Sequence, residues 1–168
     1  EGSMSTREIT VGGLLTAVAL LIPFAFRGTP LQLFIPALNY SATFASHVPS
    51  MLSMLVSPAV AALVGLGSAV GFTITLNPVI GARAFTHAVW GLVGALLVRR
   101  GWPFWAALAV ALPIHAVGEG LAVWWLGTGF QAGLFVAGGT VLHHLVDSGI
   151  SLAVFRLVLP VLRPQGAA

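Results

Sequence analysis

Three pairs of ionisable residues stand four apart in the sequence: Arg83 with His87, His115 with Glu119, and His143 with Asp147. That spacing puts both members of a pair on one face of a helix. Each pair lies inside a long apolar run. An arginine at membrane depth costs at least ~2.5 kcal/mol, so Arg83 should face protein, water or a ligand rather than lipid. A guanidinium engages a carboxylate bidentately, and imidazoles or a carboxyl can meet other polar atoms, which is the chemistry of a small-molecule cup. Imidazole and carboxylate together also suit Zn, Ni or Co. A fixed cation at the same depth repels a metal, however, and no metal is expected. The plain alternative is a buried Arg83–Glu119 ion pair surrounded by satisfied histidines. No catalytic group is expected, since neither HExxH nor GxSxG occurs.

The elements that must position these pairs follow from composition. Of the 168 residues 58% are hydrophobic and 7% charged, with a mean hydropathy of +1.01. A soluble domain so composed would have too little polar surface to show water. The runs are continuous and lack the alternation of a lipid-facing barrel, so the expected fold is an all-α membrane protein of six transmembrane helices. All seven cationic residues are arginine, and no basic patch for nucleic acid is visible. With no cysteine, disulfides and thiolate chemistry are excluded. Residues 1–3 precede Met4 and read as the remnant of an expression tag, leaving 4–168 as a single domain. The first apolar run, which follows Met4 closely, reads as a retained helix.

The helices are expected at residues 8–26, 44–56, 59–76, 79–98, 103–126 and 141–162. The second, at about 20 Å, is too short to cross upright. Residues 28–43 form a long connection of the kind that serves as a lid or binding loop. Gly138-Gly139 followed by Thr140, a good N-cap, suggests that 127–139 is a second capping loop. Six crossings put both termini on one side with Arg7, Arg99, Arg100 and Arg163, which the positive-inside rule makes cytoplasmic. The three ionisable pairs then reach similar depth in the outer half, beneath both loops. On helix 1, Gly12, Gly13, Thr16 and Ala17 recur at spacing four and permit close approach of another helix. A proton-relay carrier is a further reading, although six helices without an inverted repeat serve it poorly.

Size, helix number and the small-residue face of helix 1 resemble the substrate-binding S components of energy-coupling factor (ECF) vitamin transporters. More narrowly, Ala45-Ser46-His47-Val48-Pro49, Ser57-Pro58 and Ala82-Arg83-Ala84-Phe85-Thr86-His87 resemble the niacin-specific members. The resemblance implies a bundle whose vitamin sits near the extracellular face beneath the helix 1–2 loop, in a prokaryotic plasma membrane. Helix 1 would dock through small residues onto a transmembrane coupling protein driven by two ATPases. Gly13 and Ala17 match those positions, and Gly12 and Thr16 replace the more usual alanines. For nicotinate, Arg83 would meet the carboxylate, a histidine or protonated carboxyl the ring nitrogen, and Tyr40, Phe85 or a tryptophan the ring face. Such a subunit has no chemistry and no cofactor of its own. No GxxxxGK[ST] occurs, so ATP would be used by its partners. Another vitamin, or Ni or Co, is the alternative cargo.

Overall fold

The computed structural model describes residues 3–38, 40–126 and 129–162, with side chains to 157. Glu1, Gly2, Arg163 and the first two positions of the 127–139 segment lie outside the described residues. Six α-helices are found among the described residues: α1 (Thr6–Ala25), α2 (Val48–Ser53), α3 (Pro58–Thr75), α4 (Pro78–Arg99), α5 (Phe104–Leu126) and α6 (Phe130–Leu162). Four of them, α1, α3, α4 and α5, are long and apolar enough to cross a bilayer. Their starts are written locally. Ser5 accepts from the Glu8 N–H while Glu8 reaches back to Ser5, a capping box. Ser57 and Asn77 cap α3 and α4, each followed by proline at the first helical position, where its missing N–H costs nothing.

Glycines set the interhelical spacing. A Cβ on Gly67 or Gly71 would meet Thr16 or Leu20, so α1 and α3 run side by side in the same direction. Gly65 lies against the Ala88 backbone and Gly91 against Ala61, which makes α4 antiparallel to α3. Gly118 against Thr86 and Gly120 against Gly133 continue the alternation through α5 and α6. The start of α1 and the end of α6 therefore share one face of the bundle.

Three expectations are corrected. First, residues 130–139 do not form a capping loop, because α6 is one helix of 33 residues. Its Gly138-Gly139 pair does not break it. A Cβ on Gly139 would fall 2.5 Å from the Tyr40 hydroxyl, so that glycine admits the tyrosine. Thr140 is consequently an interior residue rather than an N-cap. At 1.5 Å per residue α6 is about 50 Å long and outruns a ~30 Å hydrocarbon core. Second, the 28–43 connection is not structureless: β1 (Gln32–Ile35) pairs antiparallel with β2 (Tyr40–Thr43) around a 3-10 turn, Pro36–Leu38. Third, the second helix shrinks from residues 44–56 to the six of α2, flanked by turns.

Two apolar clusters bracket a polar layer. Met51, Met54, Trp90 and Leu108 form the larger one towards the end shared by the start of α1 and the end of α6. Tyr40, Val123, Ala132 and Val136 form the other, beneath the hairpin.

Candidate functional site

Between these clusters lie the ionisable residues, carried on α4, α5 and α6 and covered by β2 and the turn after it. Arg83 is 4% exposed and donates from Nε and Nη2 to Glu119 Oε2 at 3.2 and 2.8 Å. Thr140 Oγ1 donates to the same oxygen at 2.7 Å. Glu119 Oε1 turns the other way, 3.3 Å from His115 Nε2 and 3.7 Å from His87 Nε2. Arg83 also donates to the Ser41 carbonyl at 3.3 Å, and its guanidinium lies 5.3 Å from the centre of the Tyr40 ring. Tyr40 is buried, and loss of solvent pushes its phenol above the ordinary value and keeps it neutral.

Asp147 organises the second half of the layer. Its oxygens accept from the backbone N–H groups of Ala45 (2.8 Å) and His47 (2.9 Å) and from His47 Nδ1 (3.0 Å). His143, one turn earlier, lies 3.2 Å from Asp147 through Nε2 and donates to the Thr43 carbonyl at 2.8 Å. Ala45 has φ of 66°, the left-handed region, which costs an L-residue about 1–2 kcal/mol. The Asp147 carboxylate helps hold that turn, and with it the N-terminus of α2.

Every residue expected at a ligand site from spacing (Arg83, His87, His115, Glu119, His143, Asp147) converges here, and Tyr40 joins from the hairpin. Phe85 does not: it is half exposed on another face of α4. Four contributors escaped sequence reasoning. His47 joins the two halves, with ring centroids 4.4–4.8 Å from those of His143, His115 and His87. His144 contacts His115, Nδ1 to Nδ1, at 2.9 Å and the Leu108 carbonyl at 3.1 Å. Trp90 underlies the imidazoles, and Thr140 completes the Glu119 shell. The available signal for His144 and Thr140 was the buried stripe Val136, Thr140, His144, Asp147, Ser151, at steps of three and four.

A crevice of about 50 Å³ reaches this layer, walled by Ser41, Thr43, His47, Arg83, His87 and Glu119 with apolar residues of α1 and α3. It has room for one or two waters and is far below the ~300 Å³ of ordinary ligand sites. A larger concavity of about 670 Å³ lies between the hairpin and α6, apolar apart from His143 and the Tyr40 hydroxyl. The small residues of α1 divide. Gly12 is buried against Leu63 of α3, and the Thr16 methyl fills the notch at Gly67, whereas Gly13 and Ala17 are exposed.

The niacin transporter NiaX of Lactococcus lactis subsp. cremoris (strain MG1363) is 30% identical over 167 residues, covering 88% of this chain and 72% of that protein. No protein-family model matches the chain. No solved structure matches it either.

Proposed function

This chain belongs to the niacin transporter NiaX family, and on that premise we propose that it is the substrate-binding S component of an ECF-type importer for nicotinate. It is a multi-pass membrane protein. The observation that carries the reading is a buried guanidinium beneath a hairpin lid, beside an aromatic ring and a ring of imidazoles. Nicotinate is a flat aromatic ring with one carboxylate and one ring nitrogen. Arg83 meets the carboxylate, Tyr40 faces the ring, and a histidine donates to the nitrogen. His87, His115, Glu119, His143 and Asp147 complete the wall.

The cup opens towards the extracellular side of a prokaryotic plasma membrane, with both termini cytoplasmic. In the closed arrangement the crevice is too small for the vitamin, so capture requires the hairpin to lift. The chain catalyses nothing and binds no ATP; a transmembrane coupling protein and two ATPases supply the energy. Helix α1 is the candidate docking element. Only 11% of its span is buried within the chain, and Gly13 and Ala17 lie on its outward face.

The test is equilibrium binding of labelled nicotinate to the purified chain, with nicotinamide as competitor. Saturable binding of about one nicotinate per chain supports the assignment. Absence of nicotinate binding to a folded, monodisperse protein removes it.

A further inference from the structure

The histidines cannot all be satisfied as neutral core residues. The Leu108 carbonyl can only accept, so His144 Nε2 carries the hydrogen. Neutral His144 then presents a lone pair at Nδ1, which the His115 Nδ1–H fills across 2.9 Å. His115 Nε2 is left as a lone pair. It is wholly buried, has no hydrogen-bond partner among the described residues, and faces a carboxylate oxygen of Glu119 at 3.3 Å. His87 Nε2, also buried and without a hydrogen-bond partner among the described residues, lies 3.7 Å from the same oxygen. His47 commits Nδ1–H to Asp147, which leaves Nε2 as its lone pair. The His115 lone pair and the Glu119 oxygen repel one another unless a proton or a metal cation stands between them. Glu119 and Asp147 outnumber Arg83 in the buried layer, an excess of one negative charge that attracts a cation.

We propose that His47, His87, His115 and Glu119 hold a divalent transition-metal ion of the Zn, Ni or Co class, resident at the floor of the crevice. One ligand atom from each lies within 4.8 Å of the others. Zn–N bonds of ~2.0–2.1 Å place tetrahedral ligand atoms ~3.4 Å apart. The two separations from Glu119 Oε1, 3.3 and 3.7 Å, are already close to that, and the rest of the set closes by about an ångström. The outer shell is of the kind that orients metal ligands. Asp147 holds His47, the His144–Leu108 relay holds His115, and Arg83 with Thr140 holds Glu119.

The objection that Arg83 repels a metal has a geometric answer. The guanidinium engages Oε2 and the histidines face Oε1, so the carboxylate stands between the two cations and screens one from the other. Three imidazole nitrogens with one carboxylate oxygen favour this metal class over Ca or Mg, which take oxygen ligands.

The experiment uses the full chain, purified in detergent through a tag without histidines. Metal content is measured by plasma mass spectrometry before and after chelation, then again after loading with Zn²⁺ or Co²⁺. The expected result is about one ion per chain after loading, with a visible Co²⁺ absorption that saturates at that ratio. His115→Gln and His87→Gln should each lower retained metal at least ten-fold. His144→Gln, acting only through the outer shell, should weaken Zn²⁺ about 10–100-fold. Thermal melting checks folding. If the variants fail to fold, the Co²⁺ spectrum of the wild type and a chelator-induced fall in its melting temperature still decide. A wild type that binds less than a tenth of an equivalent after loading overturns the proposal, as does undiminished binding by folded His115→Gln. Nicotinate binding is measured on the same samples. Metal without nicotinate removes the vitamin assignment alone, and nicotinate without metal removes the metal site alone.

Discussion

Arg83→Lys separates ligand recognition from structural pairing. Among the described residues the guanidinium's contacts include two to Glu119 and one, at 3.3 Å, to the Ser41 carbonyl on the lid. On the proposed function, lifting the hairpin would break the last and let the nicotinate carboxylate take its place. Lysine retains the charge but not the fork that serves Glu119 and the ligand together. One charge-assisted hydrogen bond, about 1.5–3 kcal/mol, is therefore lost for the acid. Nicotinamide offers a neutral acceptor at the same place and loses about 0.5–1.5 kcal/mol. At 1.4 kcal/mol per decade, nicotinate should weaken roughly 10–150-fold and nicotinamide roughly 2–10-fold. The ratio of the two losses, about five- to fifteen-fold when like ends of the two ranges are compared, is the informative quantity, since damage to the fold affects both ligands and cancels.

Arg83→Ala should lose more for both ligands. It also strands the Glu119 carboxylate, at a cost of about 3–5 kcal/mol in stability, so its melting temperature must be recorded alongside. The assay is calorimetric titration of wild type and both variants with each ligand. Equal losses for acid and amide would refute a direct contact with the carboxylate and leave Arg83 a structural partner of Glu119.

Three further outcomes follow from particular contacts. Gly13→Leu should leave nicotinate binding within a few-fold and abolish ATP-driven uptake and co-purification with the coupling module, because none of the described residues lies within 4 Å of a Cβ there. Survival of co-purification would mean that partners dock elsewhere. Asp147→Ala removes the acceptor for Ala45 N–H, His47 N–H and His47 Nδ1. It should cost at least ~1–3 kcal/mol and raise hydrogen exchange in residues 28–47, with Asp147→Asn milder. Gly65→Ala drives a methyl into the Ala88 backbone and should destabilise by about 1–3 kcal/mol in a thermal melt, whereas Gly13→Ala should not.

What the sequence makes legible is set by what depends on spacing alone. Residues four apart share a helix face wherever the helix begins. The His143–Asp147 pair therefore survives an error of about ten residues in the start of α6, and its side chains still reach Thr43 and His47. Gly138-Gly139 is a different kind of signal, because glycine marks a break in one context and a close approach in another. Only Tyr40, nearly a hundred residues away, decides between them. The hairpin was equally hidden. Gln32–Ile35 has both ends half-buried and its middle exposed, so it shows no two-residue alternation, and its partner strand supplies the order instead.

His47 is the limiting case, and it bears on how the protein opens. It belongs to no helical pair, and its place is fixed by Asp147, which reaches 102 residues back to the Ala45 N–H. Asp147 grips the turn, His143 grips Thr43, and Arg83 grips Ser41. The lid is therefore bonded to α4 and to α6 through the same side chains that line the crevice. When the Thr43 contact breaks, His143 keeps its Asp147 neighbour at 3.2 Å, so the side chain stays at that level after the lid lifts. On the proposed function, lid opening and ligand capture then exchange one set of hydrogen bonds, because the side chains that hold the lid are those that line the crevice.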